Sequence, residues 1–467
     1  MLRRLGRGLE RLVGSDVHPG EWRLVLAFFI NLFLLLTAYY ILKVVREPLI
    51  LLGGGAVSRS YARGLQAGVL ALVIPAYSLL ANRVEPARLV KWVVGFFVVT
   101  LVGFFSLGHA GLRMGFAFFV WLGIFSTLSI AQFWSLANDL LSEADGRRLF
   151  PLVAAGGTVG GIVGAQIAAR TLGRVDPYQL MLIAAAVLVV CMLLTHHTHG
   201  LGVRRGAGRA SIEEEEVPAR DERGGFSLVW NDRYLLLIAI SVVLLNVINT
   251  TGDFILAQLV SAKAQALGGE GPGRQRFIAG FYGDFQTAVG VGAALMQILM
   301  VGRLFKSIGV SRCLFLLPVF AVAGYGGSAL LPGLVLVTVV KVIENSTDYS
   351  LQNTLQQALF LPTSRDAKYK AKAAIDTFLV RFGDLVSTGL VALGAHIGMG
   401  VFGFAVTNIA FGVIWVLVIG RLARLHQNRS AAMAPAISPP ITRDPAGRHR
   451  ATRGGEGAAL APITTAR

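Results

Sequence analysis

Four sets of polar and charged side chains interrupt stretches that are otherwise apolar. The first is Lys43, Arg46 and Glu47; the second is Asn246, Asn249 and Asp253. The third is Lys341, Glu344 and Asp348, followed by Gln352 and Gln356; the fourth is Arg381 with Asp384. An ionisable group in an apolar segment is costly, so it faces a cavity or a partner and serves to bind an ion, pass a proton or join helices. Spacings of three and seven residues put each set on one helix face. For Lys43 and Arg46 the bland reading is snorkelling to an interface. Pro48 and the apolar run Leu49–Leu52 argue instead that they sit inside a longer helix. For Asn246, Asn249 and Asp253, hydrogen bonding between helices competes evenly with an ion or substrate role. Lys341 and Glu344 read equally as an internal ion pair and as cavity lining. Arg381 and Asp384 read first as a salt bridge or gate.

Bond-breaking chemistry finds little support. No Gly-x-x-x-x-Gly-Lys-Ser/Thr loop occurs, and Gly156, Gly157, Gly160, Gly161 and Gly164 fall in an apolar stretch where spacings of four suit close helix approach. His196, His197 and His199 cluster at the end of an apolar run, and surface placement outweighs metal binding there. Cys191 and Cys313 also lie in apolar runs and suggest small buried hydrophobes. No metal, cofactor or enzymatic activity is expected.

The elements that carry these charges are membrane spans. The chain has 467 residues, 54% hydrophobic and only 15% charged, with mean hydropathy +0.63. Its apolar residues gather in runs of roughly 18 or more, long enough to cross a bilayer core. Spans are expected near 24–52, 61–81, 89–107, 114–141, 151–171 and 178–197, then 234–260, 278–302, 313–331, 333–361, 371–395 and 399–420. The first such run is too long for a signal h-region. The fold class is therefore all-α, with twelve transmembrane helices in two six-helix halves. The expected division is an N-terminal segment (1–23), a first half (24–197), a linker (198–233), a second half (234–420) and a disordered tail (421–467). The linker holds Glu213 to Glu216, several arginines and Pro218, too polar for a core.

With the N-terminus inside, the short inner segments hold 17 lysines and arginines and the outer loops 8, with Arg59 and Arg63 counted in the first outer loop. The excess predicts cytoplasmic termini and linker in a bacterial-type inner membrane. The net charge of +17 is read as a set of topology determinants and not as a nucleic-acid surface.

Two inner loops repeat a pattern. Ser78, Leu80, Asn82 and Arg88 recur as Gly302, Leu304, Lys306 and Arg312 at the same offsets. They look like degraded copies of the loop signature of the major facilitator superfamily, and such internal repeats accompany a site between two homologous halves. A second resemblance is more extended. Tyr39-Tyr40-Ile41-Leu42-Lys43-Val44-Val45-Arg46-Glu47-Pro48-Leu49 resembles the opening helix of the ATP/ADP translocases of plastids and intracellular bacteria. Phe133-Trp134-Ser135-Leu136-Ala137-Asn138, Arg147-Arg148-Leu149-Phe150-Pro151-Leu152, and Tyr349-Ser350-Leu351 with Pro362 are similar to further stretches of that family. The fullest match is Lys368-x-Lys370-x-Lys372-Ala373-Ala374-Ile375-Asp376, its lysine ladder and Lys-Ala-Ala-Ile-Asp.

The resemblance implies a carrier exchanging ATP for ADP by alternating access, without hydrolysis. Arg46 matches the family's basic substrate residue and Lys43 its basic neighbour. Other matching positions depart: a family glutamate falls near Leu122, a lysine near Asp384, and charges of the tenth helix fall on Asn353, Gln356 and Gln357. Asp253 matches the family's acidic residue of helix seven only with a shifted alignment. The expected substrate contacts are Lys43 and Arg46, with Lys341 and Arg381 secondary. Glu47, Asp253, Glu344, Asp348 and Asp384 are expected to gate or couple. Arg148, Lys370 and Lys372 are expected to form a basic cytoplasmic mouth that draws in a small anion, foremost a nucleotide. A proton-coupled carrier of another solute, and a scaffold or sensor that transports nothing, are the competing expectations. The scaffold reading requires Arg46→Ala to leave function intact while truncation after Arg421 abolishes it.

Overall fold

The first apolar stretch forms one helix, α1 (Trp22–Ala81), of 60 residues. Straight, it would measure about 90 Å, some three times a bilayer's hydrocarbon core. It turns back at Gly55, whose φ of 70° and ψ of −171° are open to glycine alone. The two limbs, 22–54 and 56–81, are two spans. In the structure, a computed structural model, residues 18, 21–81, 83–84, 86–141, 143–206, 224–267, 271–364 and 367–433 are described.

The first half continues with α2 (Pro86–His109), α3 (Gly115–Leu140), α4 (Glu143–Thr171) and α5 (Pro177–Gly206). A short helix, α6 (Gly225–Asn231), leads into the second half: α7 (Arg233–Ala266), α8 (Pro272–Met296), α9 (Leu316–Leu330), α10 (Leu334–Thr347), α11 (Val380–His396) and α12 (Val401–Met433). Four π-helical turns occur among the described residues, all in this half: Gln297–Val301 after α8, Asp348–Gln352 after α10, and Ala367–Ala371 and Ile375–Leu379 before α11. Ten described segments are long and apolar enough to span a membrane, with α1 counted once. Its two limbs and the charged segment 334–359 bring the number to twelve.

Two apolar cores follow the two halves, one built mainly on residues 24–191 and the other mainly on 228–423. Ile50, Leu51, Ala56, Ala62 and Phe119 belong to the second core, although their helices belong to the first half. The halves are thus joined where α1 bends, at the end remote from the start of α1. The glycine face of α4 seats α1. A Cβ on Gly156, Gly160 or Gly164 would stand 2.5, 2.2 or 2.3 Å from the carbonyl oxygens of Phe29, Phe33 and Thr37. Small residues at this spacing let helices pack backbone to backbone. Gly160→Leu is expected to cost about 1–3 kcal/mol by overpacking, visible as a lower melting temperature and a loss of monodisperse protein in detergent.

Two expected boundaries move. Helix α5 runs to Gly206 and α6 occupies 225–231, so both ends of the expected linker are helical. Helix α12 continues past 420 to Met433, because Leu422, Ala423 and His426 are buried and Arg429 reaches Asp232 at 2.7 Å. Most of the expected N-terminal segment, the middle of the linker and the tail beyond 433 lie outside the described residues.

Candidate functional site

The fold-back at Gly55 brings Arg59 onto Glu47, twelve residues earlier in the chain. Arg59 donates from Nε to the buried Glu47 carboxylate at 2.8 Å, and from Nη2 at 3.4 Å. Arg46 donates to the same carboxylate from Nε at 3.1 Å, and its Nη2 touches it as well. The Arg46 guanidinium lies 4.1 Å from the centre of the Phe119 ring. Two buried guanidiniums therefore share one buried carboxylate. A buried cation needs such a partner, since its desolvation is otherwise unrelieved.

A second network crosses between the halves. Arg63 donates to Asp253 at 2.9 Å and to Thr250 at 3.1 Å. The other Asp253 oxygen lies 3.2 Å from the Lys341 Nζ, which also donates to the Asn249 carbonyl at 3.0 Å and side chain at 2.5 Å. Glu344 lies 3.4 Å from Lys341; this is an ionic contact with poor hydrogen-bond geometry, so its Oε1 carries no hydrogen bond. Its Oε2 accepts from the Tyr325 hydroxyl at 2.6 Å. Thr250 donates to Asp384 at 2.9 Å, and Arg381 stands 3.7 Å from the second Asp384 oxygen. Thr388 adds a bond to the Ser60 carbonyl at 3.2 Å.

Lys43 differs from these. Its Nζ donates to Gln286 of α8 at 3.0 Å and lies 4.9 and 5.9 Å from the ring centres of Tyr40 and Tyr39. Among the described residues no carboxylate lies within ion-pair distance of it. Tyr349, 48% exposed on the π-turn after α10, is within electrostatic reach of Lys43, Tyr40, Tyr39 and Asp348. Asp348 opens that π-turn, half-buried, and likewise has no cation within ion-pair distance among the described residues. π-Turns inside helices recur at functional sites.

The expected substrate and gating residues, Lys43, Arg46, Glu47, Asp253, Lys341, Glu344, Asp348, Arg381 and Asp384, therefore lie along the seam between the halves. Arg148, Lys370 and Lys372 lie at the end that carries Glu21, the start of α1 and the short helix α6. Arg148 bonds Glu21 at 2.7 and 2.9 Å and Asp145 at 2.9 Å, and Lys372 donates to Gln357 at 2.6 Å. Arg59 and Arg63, read from the sequence as loop charges, are helical and central to both networks. Their spacing of four, just before an apolar run, is the signal that could have found them. Gln286 and Tyr325 carry no such signal.

A fold of twelve spans in two halves, with the charges gathered on the seam, is that of the major facilitator-type transporters. It superposes on the nucleoside transporter NupG with a TM-score of 0.62, covering 87% of this chain and 99% of that one at 14% identity. It matches a bacterial homologue of the iron transporter ferroportin, solved facing inward, with a TM-score of 0.63 over 86% and 98% at 12% identity. The peptide transporter POT gives 0.61 over 89% and 99% at 14% identity. This chain therefore has the fold of those transporters, with segments long and apolar enough to cross a membrane many times.

In sequence it is a divergent relative of the ADP,ATP carrier proteins of Chlamydia. It is 23% identical to ADP,ATP carrier protein 1 of Chlamydia trachomatis and 24% to that of Chlamydia muridarum, in each case over 89% of this chain and 91% of the relative. ADP,ATP carrier protein 2 of Chlamydia pneumoniae is 21% identical over 66% of this chain and 65% of the relative. No protein-family model matches the sequence.

Proposed function

We propose that this chain is a nucleotide exchanger of the ADP,ATP carrier type, working by alternating access from a site at Lys43. The observation that carries this reading is that Lys43 is a half-buried cation on the seam, held by a neutral amide and flanked by tyrosines. A phosphate can take such a cation without first breaking an ion pair, and the rings suit a base. The relatives' names and the nucleoside-transporter fold neighbour support the same cargo.

The excess of lysines and arginines in the inner segments supports cytoplasmic termini in a bacterial inner membrane. In that orientation the Arg63–Asp253 and Thr388–Ser60 links close the outer end. Tyr349, Asn353 and Gln357, spaced by four, are exposed and lead from the residue that reaches Lys43 to the Gln357–Lys372 bond. Both features support an inward-facing state. Labelled ATP or ADP should enter proteoliposomes that contain nucleotide much faster than empty ones. The unpaired Asp348 favours one other reading, a proton-coupled carrier. Its signature is flux of another solute that follows a pH gradient, with no nucleotide exchange.

Closure of the outer end can be tested directly. A Cβ on Gly64 would stand 3.0 Å from the Thr388 Cβ, close to the roughly 3.5–4.5 Å that a disulfide spans. The native Cys191 and Cys313 are both buried. In the Gly64→Cys/Thr388→Cys double variant, oxidation should stop transport and reduction should restore it. Undiminished transport by the cross-linked protein would show that this end does not open.

A further inference from the structure

The charge at the seam limits how many phosphates it can welcome. Arg63 and Lys341 face Asp253 and Glu344, two cations against two carboxylates. Arg381 faces Asp384. These groups are mutually neutralised. Arg46 and Arg59 share the single carboxylate of Glu47, leaving one positive charge, and Lys43 supplies a second. On the opposite half, Tyr349 reaches Lys43, and the carboxylate of its neighbour Asp348 lies within electrostatic reach of Lys341 and Glu344 rather than of Lys43.

A phosphate monoester carries a charge of about −1.5 to −2 near neutral pH. That matches the two uncompensated positive charges around Lys43. A longer polyphosphate brings negative charge that would have to be drawn from the closed networks or placed against Asp348. Opening those networks strands buried carboxylates, at a cost in a low-dielectric site. The remaining lining is Tyr39, Tyr40, Tyr349 and Gln286: three rings and an amide, suited to a planar base and its polar edge.

From this juxtaposition of one free lysine, a half-neutralised arginine pair, three tyrosines and an opposing carboxylate, we propose that the site prefers a nucleoside monophosphate, or another planar ring bearing a single phosphate, over di- and triphosphates. This rests on the nucleotide reading above and narrows it. Lys43 takes the phosphate, with Arg46 turning from Glu47 to assist, while Arg59 keeps Glu47 paired. Asp348 disfavours a longer phosphate chain.

The test is binding of adenosine, AMP, ADP and ATP to the purified full-length protein in detergent, free of divalent cations, by thermal shift and titration calorimetry. AMP should bind at least tenfold more tightly than ATP. Lys43→Gln should bring AMP to within about threefold of adenosine, and Asp348→Asn should narrow the gap between AMP and ATP. Unchanged melting of both unliganded variants establishes that they fold; should Lys43→Gln not fold, Asp348→Asn and the wild-type series still decide. An affinity that rises from AMP to ATP overturns the preference and leaves the nucleotide reading standing. Binding of none of the four overturns both.

Discussion

Glu47→Ala should be the most damaging single substitution in the protein, costing about 3–5 kcal/mol of stability. The carboxylate is buried and is the ion-pair partner of both Arg46 and Arg59. Its removal leaves two guanidiniums inside a membrane-spanning segment with a ring face apiece and no ion-pair partner, Asp253 lying within electrostatic reach of Arg59 but not paired with it. Glu47→Gln keeps an acceptor oxygen and should fall between. The double variant Glu47→Ala/Arg59→Leu should recover part of the loss, because it removes one of the stranded charges together with its partner. Melting temperature in detergent checks the series. Equal melting of Glu47→Ala and wild type would mean that water reaches the pair and that Glu47 does not hold the bend of α1 in place.

Lys43→Gln should do the opposite: melt like wild type and transport far more slowly. Lys43 bonds a neutral amide, so its loss strands no opposite charge. A hydrogen bond to a charged group contributes about 1.5–3 kcal/mol, which predicts a loss of transport on the order of 10–100-fold. Lys43→Arg keeps the charge and should retain part of the activity, with altered geometry. The contrast between residues 43 and 47, four apart on one helix, separates a group that meets cargo from a group that holds the scaffold. Loss of stability in Lys43→Gln, or full activity, would undo that assignment.

The sequence shows some of this directly and hides the rest for physical reasons. Lys43, Arg46, Lys341 and Asp384 stand out because a charge in an apolar run needs explanation. The i,i+3 spacing of Arg381 and Asp384 anticipates the 3.7 Å contact between them. The tenth span is legible despite its charges, since apolar residues continue on both sides of Lys341. Arg59 and Arg63 are different. Three glycines, Gly53 to Gly55, read as a loop, and so the two arginines read as loop charges. Only the backbone at Gly55 makes them helical and turns them inward. Glu47 pairs with Arg59 because of that bend, a long-range consequence that helical spacing cannot express. Gln286 matters through a single bond across the seam, and a lone glutamine in a span has no distinguishing pattern. The helical ends of the linker escape for a related reason. Polar composition marks 198–233 as unable to form a core, yet α6 packs Leu228 and Val229 against its neighbours.

The most direct test is trans-stimulation in proteoliposomes, with wild type and Lys43→Gln reconstituted at equal density. Uptake of labelled nucleotide by wild type should rise at least tenfold when unlabelled nucleotide is inside, and in Lys43→Gln the stimulated uptake should fall by roughly 10–100-fold. Wild-type uptake that ignores internal nucleotide, or stimulation that survives undiminished in Lys43→Gln, would contradict exchange at this site.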